Sequence, residues 1–504
     1  MASNDATEVE TKYDVPEGVV VPAMEHLPGV VATTRPERLR LEAEYYDTAD
    51  LTLIRSGVTL RRRTGGTDEG WHLKLPAGRH TRREIRDPLG PPGQPPPARL
   101  TNLVSGLVRG GQLRPVARMT TIRQPVILLG EHNEPLAEVA IDDVSAQSLG
   151  DVMVARRWHE VEIELTGGNV QLLRAADVVL RRDGLQPAGR GTKLERALGL
   201  DKPPSGSPGL TPASSAGAVV RAYLRSQTGV LTSLDPLVRM NEPDAIHQMR
   251  VTTRRLRSVL QAFRAVFSEP ADQVAADLKW LGSLLGSARD AEVLGAHLQA
   301  SVDRLPVEQV IGPVRARVQA HFATTGADAR RAVVEALDSE RYFALLDALE
   351  QLMTRSGPAC ESAAEVLPAA VRHAYRRTRR RMLRAYDAPP GKASDVSIHE
   401  ARKAAKRARY AAEAAAPAFG DDAGRFARQL KKVQSVLGEH QDTVVARRAV
   451  RELGISAHLA GENAFSYGVL YGQDACDGRE LRAEAFRTWE HADRSRYRRW
   501  LRGA

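Results

Sequence analysis

Residues 7–12 of the 504-residue chain read TEVETK, with a charged residue at every second position. Successive side chains of a β-strand point to opposite faces, so a strand here carries its charges on one side: Glu8, Glu10 and Lys12. Residues 158–165, WHEVEIEL, alternate in the same way and place carboxylates on one face: Glu160, Glu162 and Glu164. Other short runs before residue 200 share this period of two, which predicts an N-terminal domain built of β-strands.

Basic residues alternate in the same way on the middle strands of this predicted domain. Arg61 and Arg63 share a face within LRRR at residues 60–63, and Lys74 lies opposite two leucines. An ordinary sheet with its charged face in water explains any one of these strands. Because carboxylates cluster on the first and a late strand and bases on the middle ones, the pattern favours a closed barrel whose charged faces point inward.

The interior of such a barrel is a polar tunnel with an acidic patch and a basic patch. Buried charges without partners are costly, so the tunnel requires a ligand. Arg and Lys hold phosphate oxygens, and paired carboxylates hold Mg²⁺, which also bridges to phosphate. Since the chain shows no nucleophile motif of the Ser, His and Asp type, the combination predicts phosphoryl transfer or hydrolysis by metal-assisted attack of water.

The motifs of this domain resemble those of the CYTH family of triphosphate tunnel metalloenzymes over about residues 5–200. The motif at the extreme N-terminus is the most specific, and further motifs follow in the order of the family: Tyr45-Tyr46-Asp47-Thr48, Arg83-Glu84, Ile141-Asp142-Asp143 and Thr192-Lys193-x-Glu195. The resemblance implies an eight-stranded antiparallel β-barrel that binds triphosphate-containing substrates with Mg²⁺ or Mn²⁺. Members hydrolyse inorganic triphosphate, thiamine triphosphate or RNA 5′-triphosphate ends, and a few make cyclic AMP.

The resemblance also implies roles for individual residues. The implied metal ligands are six carboxylates: Glu8, Glu10, Asp142, Glu160, Glu162 and Glu164. The implied phosphate-binding side chains are six bases: Arg61, Arg63, Lys74, Arg83, Arg123 and Lys193. The predicted catalytic residues are Glu8, Glu10, Lys12 and Glu162. Two alternatives stay open, because Lys12 can instead be an ion-pair partner of Glu10 and either Asp142 or Asp143 can complete the acidic patch.

A segment rich in Pro, Gly and Ser at residues 201–217 predicts a linker. The chain is therefore predicted to be a two-domain α+β protein, with domains at residues 1–200 and 218–504. Residues 1–202 carry 27 Lys and Arg against 28 Asp and Glu, whereas the rest carries 45 against 34. All of the net charge of +10 thus lies in the second part. Such a confined excess indicates a polyanionic partner.

The second domain contains an internal repeat with one constant offset. HQMRVTTRRLR at residues 247–257 matches HEARKAAKRAR at 399–409, an offset of 152. LKWLGSLLGSARDAEV at residues 278–293 matches LKKVQSVLGEHQDTVV at 430–445 with the same offset. The spacing of apolar residues in these stretches is helical. The second domain is therefore predicted to be an all-α helical bundle with internal duplication, its two copies packed with approximate twofold symmetry.

Each copy carries a histidine and three basic residues on one face of a helix. These residues are His247, Arg250, Arg254 and Arg257 in the first copy and His399, Arg402, Lys406 and Arg409 in the second. A solvated basic face explains such a stripe on a single helix. Because the stripe is present in both copies while much of the remaining sequence differs, the pattern favours an anion-binding surface.

These helices resemble the signature helices of the CHAD domain, named for conserved histidines in an α-helical domain, over about residues 215–500. Two companion segments fit the same family: LGSARD at residues 285–290 and LGEHQD at 437–442. The resemblance implies a helical bundle that binds inorganic polyphosphate, with Arg289 joining the two stripes. His440 stands where the first copy has Ala288, and Gln441 where it has Arg289, so the two halves are not expected to contribute equally.

Composition limits the compartment and the partners. No apolar run approaches the roughly 18 residues of a membrane span, and aromatic residues make up only 5% of the chain, which leaves few platforms for stacking bases. The two cysteines, Cys360 and Cys476, are too few for a disulfide framework. We expect a cytoplasmic protein, with polyphosphate granules as a further site of association, no membrane partner, and nucleic acid as a less favoured partner than polyphosphate.

Three functions remain open from the sequence. The leading one is a metal-dependent triphosphatase, a phosphoric anhydride hydrolase that favours inorganic triphosphate, joined to a module that binds inorganic polyphosphate. The second is a polyphosphate-binding scaffold with little or no catalysis. The third is an adenylate cyclase, which ranks last because nothing in the chain resembles a dedicated adenine pocket.

Overall fold

The computed structural model describes residues 5–77, 81–91, 93–150, 153–188, 192–200, 209–267, 271–354 and 361–502, with side chains from residue 9 onward. The chain divides into two compact units between residues 207 and 208. The linker predicted at residues 201–217 lies outside the described residues as far as residue 208, and a helix begins at Ala216.

The described part of the first unit contains ten β-strands in one sheet. They are β1 (Asp5–Asp14), β2 (Ala32–Thr34), β3 (Leu39–Asp47), β4 (Thr59–Thr64), β5 (Gly70–Pro76), β6 (Thr81–Asp87), β7 (Arg114–Leu129), β8 (Pro135–Ser148), β9 (Ala155–Leu165) and β10 (Gln186–Pro187). Helices of this unit are α1 (Thr52–Arg55), α2 (Ala98–Leu103), α3 (Ser105–Val108), α4 (Val170–Arg182) and α5 (Lys193–Leu198).

Eight of the strands close an antiparallel barrel in the order β1-β6-β5-β4-β3-β7-β8-β9. The barrel closes through β1, which pairs with β6 along residues 5–9 and with β9 along residues 10–14. The short strands β2 and β10 are additions to β7 and β1. The predicted eight-stranded antiparallel barrel is therefore confirmed.

Alternation along the strands separates a polar interior from an apolar exterior. Tyr13, Val161 and Ile163 alternate with the charged residues of β1 and β9, and all three are buried. They pack against the apolar face of α4, formed by Leu172, Leu173, Ala176 and Leu180. The hydroxyl of Tyr13 also donates to Asp177 Oδ1 on α4, at 2.7 Å. The hydrophobic core of this unit thus includes a layer outside the barrel, which leaves part of the interior free for charged groups.

Apolar side chains of the barrel strands pack against α5. Tyr45, Met119, Val144 and Trp158 pack against Leu194 and Ala197 of this helix. Thr192 caps this helix, because its hydroxyl accepts from Glu195 N while the Glu195 carboxylate accepts from Thr192 N. This capping box holds the first turn of α5 and with it Lys193, the residue that follows the cap.

The described part of the second unit is helical. Its helices are α6 (Ala216–Arg239), α7 (Ala245–Ala262), α8 (Asp272–Asp303), α9 (Val314–Leu337), α10 (Glu340–Thr354), α11 (Ala363–Asp387), α12 (Lys392–Leu459) and α13 (Phe465–Ala492). Short 3₁₀ turns lie at Arg264–Val266, Val307–Gln309 and Ser495–Arg502. Among the described residues, no helix combines the length and hydrophobicity that crossing a bilayer demands.

The duplication seen in the sequence is present in this unit. Gly420 has a positive φ of 57° that divides α12 into two helices, and these correspond at the offset of 152 to α7 and α8. Ser215 and Ser362 begin α6 and α11 as N-caps and pair with each other in an antiparallel bridge. The helices α6 and α11 each precede one copy of the repeat, so a pairing between their N-caps is what an approximate twofold relation between the copies produces.

Candidate active site and anion-binding cluster

The barrel encloses a cavity of about 490 Å³ with charged walls. Carboxylates on β1, β8 and β9 line one side: Glu10, Glu138, Glu162 and Glu164. Bases on β4, β5 and β6 line another: Arg61, Arg63, Lys74, Arg82 and Arg86. Lys12, Arg123 and Lys193 also line the cavity and approach the carboxylates. Strands distant in sequence therefore bring most of the predicted barrel residues into one tunnel.

Three carboxylates form the acidic centre of this tunnel. Asp142, Glu160 and Glu162 place one oxygen each within 4.8 Å of one another. Lys193 Nζ contacts all three, at 2.6 Å from Asp142, 2.9 Å from Glu160 and 3.0 Å from Glu162. Burial alone would raise the pKa of Glu162, but the ammonium groups of Lys12 and Lys193 hold it well below the usual range. This carboxylate is therefore ionised and able to bind a cation.

The structure distinguishes Asp142 from Asp143, which the sequence left open. Asp142 is buried and accepts two hydrogen bonds from Arg123, at 2.8 and 2.7 Å. Asp143 points the other way and pairs with the exposed Arg157 at 2.6 Å. Asp142 is therefore the tunnel residue, as the alternation along β8 requires.

Lys12 takes part in the ion pair that the sequence offered as an alternative role. Its Nζ lies 3.2 Å from Glu10 Oε2 and makes a closer contact with Glu162. Burial would lower the pKa of Lys12, but Glu162 and Glu10 raise it above its ordinary value. Lys12 therefore stays protonated inside the tunnel, where its charge is shared between the two carboxylates.

The basic wall is organised by Glu84, whose role the sequence analysis did not predict. Glu84 is 1% exposed. Its carboxylate lies 2.8 Å from His72 Nδ1, 2.6 Å from Arg86 Nε, 3.5 Å from Lys74 Nζ and 3.8 Å from Arg61 Nη2. Burial would raise the pKa of Glu84, but His72, Lys74 and Arg61 lower it far below its usual value. The β5–β6 register, which pairs Lys74 with Glu84, was the information missing from the sequence.

The side chains of β6 alternate between the tunnel and the outside of the barrel. Arg82, Glu84 and Arg86 line the tunnel, and Arg83 alternates with them on the other face of β6. The structure thus brings Arg82 and Arg86 into the tunnel wall in place of the predicted Arg83, because the phase of β6 is set by its inward Glu84. Glu8 lies opposite Arg82 in the β1–β6 ladder, and its side chain lies outside the described residues.

Arg63 carries a charge that its protein surroundings only partly balance. It is buried and forms an ion pair with Asp68. Burial, followed by the nearby Arg61 and Arg123, lowers the pKa of Arg63 to about 9. A bound anion would relieve this repulsion, so this part of the wall is suited to phosphate oxygens.

In the second unit, the two copies of the repeat bring four bases together. This four-base cluster consists of Arg250 and Arg254 from α7 and Arg402 and Lys406 from α12. Lys406 is 7% exposed, and burial, followed by the three arginines, lowers its pKa to about 5. Burial also lowers the pKa values of Arg254 and Arg402, and neighbouring arginines contribute to both shifts. The cluster holds more positive charge than its surroundings neutralise.

Two aspartates and a small cavity adjoin the four-base cluster. Asp290 accepts from Arg250 at 2.8 Å, and Asp442 lies close enough to Arg402 and Lys406 to act on their pKa values. The cavity measures about 150 Å³ and has six basic or aromatic residues in its wall: Arg254, Arg257, Lys403, Lys406, Arg407 and Tyr410. Lys403 and Arg407 were not predicted, although both lie between the residues of the predicted stripe.

The two predicted histidines occupy corresponding but unequal places. Burial, followed by Arg289, lowers the pKa of His247, and burial lowers that of His399. His399 Nδ1 lies 2.8 Å from the side-chain oxygen of Gln441, the residue that corresponds to Arg289. His247 therefore has the positive charge of Arg289 beside it, whereas His399 has the uncharged Gln441.

Arg409 differs from its counterpart Arg257 in the first copy. Arg257 lines the small cavity, whereas Arg409 is 8% exposed and bonds Glu413 at 2.7 Å and Gln434 at 3.1 Å. The predicted role of Arg409 in anion binding stays a prediction, and its guanidinium is already held by an internal carboxylate.

Comparisons with known proteins match this division of the chain. Residues 6–190 match the family model of the CYTH domain, and residues 222–451 match that of the CHAD domain. Two uncharacterized proteins from strains of Mycobacterium tuberculosis, MT2285 and Rv2226, are each 40% identical to the chain over 489 residues. The alignment covers 93% of this chain and 93% of each relative.

Solved structures also resemble parts of the chain. PptA from Streptomyces chartreusis has 18% identity and a TM-score of 0.47, with 55% of this chain and 100% of that chain covered. The CHAD domain from the plant Ricinus communis has 28% identity and a TM-score of 0.45, with 57% of this chain and 97% of that chain covered.

Proposed function

Because the chain belongs to the proteins in which a CYTH domain precedes a CHAD domain, we propose that its barrel is a metal-dependent triphosphatase. We propose inorganic triphosphate as its substrate, and inorganic polyphosphate as the ligand of the helical unit. The barrel has the triphosphate tunnel fold, and its tunnel is the site to which we assign the activity.

The observation that carries the triphosphatase proposal is the division of the tunnel wall into an acidic and a basic side. A triphosphate bears negative charge along its whole length, so it suits a wall lined by Arg61, Arg63 and Lys74. The tunnel volume of about 490 Å³ lies within the range of small-molecule sites. Nothing bulkier than the phosphates is required to balance the charge of the wall.

The acidic centre fits a small divalent cation by the chemistry of its donors. Asp142, Glu160 and Glu162 supply hard carboxylate oxygens within 4.8 Å of one another, and a small further approach of these side chains would let one ion contact all three. We assign them, with Glu10 and Glu164, to Mg²⁺ or Mn²⁺. Such an ion would neutralise phosphate charge and activate water. The chain's own cations, Lys12 among them, would hold the carboxylates in place.

The test is phosphate release by the full chain from inorganic triphosphate, ATP and thiamine triphosphate, with Mg²⁺, Mn²⁺ or EDTA. We expect metal-dependent release that Glu162→Gln lowers at least about 100-fold. Glu42→Gln, which changes an exposed carboxylate on the outside of the barrel, is the matched control and should retain activity. If the wild-type protein releases no more phosphate than Glu162→Gln, the triphosphatase proposal fails.

One observation favours the second candidate, a polyphosphate-binding scaffold with little catalysis. Lys193 Nζ contacts the same three carboxylates that a metal would use. A divalent cation must therefore compete with this ammonium group for its ligands. If polyphosphate binds while phosphate release is absent with both metals, the scaffold is the better description.

The polyphosphate proposal is supported by the four-base cluster. Lys406 is buried beside three arginines, an arrangement that a polyanion would stabilise. We expect polyphosphate to bind in a salt-sensitive manner, and the double variant Arg254→Gln/Lys406→Gln to bind it at least about tenfold more weakly. Arg315→Gln/Arg331→Gln is a control with the same nominal loss of two bases. A preference for duplex DNA over polyphosphate at the same salt would contradict the assignment.

A further inference from the structure

The helix α11 presents a row of arginines that lies outside the two predicted stripes and outside the four-base cluster. We propose that these arginines extend the four-base cluster into a track along which a long polyphosphate chain lies. This inference rests on the proposed binding of polyphosphate by the cluster, and it adds a preference for long chains over short ones.

The row follows from the helical period of α11. The side of the helix that packs into the bundle carries Leu367, Val371, Tyr375, Thr378, Met382 and Ala385, all of them buried. The opposite side carries basic residues that are exposed or partly exposed: Arg372, Arg376, Arg377, Arg379, Arg380, Arg381 and Arg384. Two strongly different faces on one helix show that the arginines are directed away from the core.

Few carboxylates accompany these arginines. Within the described part of the chain, one arginine of the row forms an ion pair: Arg379 lies 3.7 Å from the carboxylate of Asp493. Glu400 lies near Arg381 but already pairs with Lys403. Arginines at positions i and i+4 also repel one another, so the row disfavours its own helix. A bound polyanion would remove this repulsion.

The row is continuous with the four-base cluster. Arg407 lies beside both Arg377 of α11 and Arg257 of α7, close enough for each to act on its charge. Arg257 and Arg407 in turn line the small cavity, together with Arg254 and Lys406 of the cluster. A chain of cations therefore runs from the cluster through the cavity wall to α11. A polyanion held at the cluster has its next binding positions on this helix.

The dimensions favour polyphosphate over nucleic acid as the occupant. Four arginines are spaced at i, i+4, i+8 and i+12 from Arg372 to Arg384, which spans about 18 Å of helix axis. The cavity of about 150 Å³ is well below the size of typical small-molecule sites. An unbranched chain of phosphates fits beside such a narrow wall, whereas a strand that carries bases needs room and stacking partners.

The test compares two triple variants that each remove three positive charges. Arg372→Gln/Arg376→Gln/Arg380→Gln alters the row. Arg315→Gln/Arg331→Gln/Arg448→Gln alters exposed arginines that each pair with a carboxylate elsewhere. Binding of tripolyphosphate, long-chain polyphosphate and duplex DNA is measured over a range of salt concentrations. The tunnel contributes the same background to both variants, and thermal unfolding checks that each is folded.

We expect the row variant to lose at least about tenfold in affinity for long chains and to reduce the salt dependence, log K against log salt, by about 2. Its affinity for tripolyphosphate should equal that of the control. Equal binding of long chains by both variants would overturn the track, as would a loss confined to DNA. If the wild-type protein binds no polyphosphate, the proposed function itself fails. That result differs from equal binding by the two triple variants, which overturns the track alone.

Discussion

Lys193 Nζ lies 2.6 Å from Oδ2 of Asp142 inside the barrel. Both residues follow the first strand of the barrel by more than a hundred positions of sequence. The same ammonium group reaches Glu160 and Glu162. The carboxylates raise the pKa of Lys193 above its ordinary value, although burial acts to lower it. A protonated lysine and a divalent cation therefore have the same ligands available to them.

Replacement of this lysine should expose the competition. In Lys193→Met, three carboxylates lose a buried partner, so the free energy of unfolding without metal should fall by about 3–5 kcal/mol. Mg²⁺ or Mn²⁺ should then raise the melting temperature more in the variant than in the wild-type protein. Lys392→Met, at an exposed position of α12, is the control. An equal response to metal in all three proteins would show that Lys193 does not compete with the ion.

Neighbouring aspartates provide a matched pair for the tunnel. Asp142→Asn removes a buried carboxylate that holds Arg123 and Lys193, so phosphate release should fall at least about 100-fold. Asp143→Asn breaks an exposed pair with Arg157, which is worth little, and activity should stay within about twofold. Initial rates with inorganic triphosphate measure both. Equal losses of activity in the two variants would mean that the face of β8 on which an aspartate lies does not decide whether it contributes to phosphate release.

Corresponding glycines of the two copies should respond differently to alanine. A Cβ at Gly286 would lie 3.6 Å from the Arg250 guanidinium, an ordinary contact. Gly286→Ala should therefore raise the free energy of unfolding by about 0.5–1 kcal/mol, as in other helix interiors. A Cβ at Gly438 would lie 3.0 Å from Arg402, which must move. The Arg402 guanidinium needs to shift by only a few tenths of an ångström, so we expect Gly438→Ala to weaken polyphosphate binding more than Gly286→Ala does. Binding and chemical unfolding of both variants measure this, and equal binding by the two would contradict the difference.

Polyphosphate binding should strengthen as the solution becomes more acidic. In the free protein Lys406 has a pKa of about 5, so it is mostly uncharged at pH 7. A bound anion favours the ammonium form and raises this pKa, and binding therefore takes up a proton. Affinity should rise between pH 8 and about pH 5 and change less below it. Arg250, Arg254, Arg402 and Asp442 are the charged groups that act on the same amine. The measurement is the dissociation constant at constant ionic strength.

The companion variant Lys406→Met separates binding from stability. Because the folded state holds the pKa of Lys406 below its unfolded value, stability decreases as pH falls from about 10 towards 5. Lys406→Met should thus raise the free energy of unfolding at pH 7 by about 1–3 kcal/mol while weakening polyphosphate binding and flattening its pH dependence. Lower stability of this variant would contradict an uncharged buried amine.

Local periodicity accounts for the parts of the site that the sequence predicted. Glu10, Lys12 and Glu162 reach the tunnel because alternation within a strand needs no knowledge of its neighbours. Arg83 lies on the other face of β6 from the tunnel, because the phase of this strand is set by the pairing of Lys74 with Glu84. Arg409 has a partner that the stripe did not indicate, because Glu413, one helical turn ahead, holds its guanidinium. Partners across strands and helices are long-range information that a single sequence does not carry.

The arginine row of α11 is also visible in the sequence as a cluster of basic residues. RRTRRR at residues 376–381 is a dense basic run, but its position in the fold decides whether it is merely solvated. The structure connects the run to the four-base cluster, because Arg377 lies beside Arg407. That proximity follows from the packing of α11 on α12.

The pairing of Ser215 with Ser362 brings together the starts of α6 and α11, the helices that precede the two copies, and each copy supplies two members of the four-base cluster. A linear chain of phosphates reads the same from either end. Turning the chain around in the site therefore gives the same complex, so the site needs no selection between two directions of the chain. Gln441 stands where the first copy has Arg289, and this difference makes the two ends of the site unequal in charge.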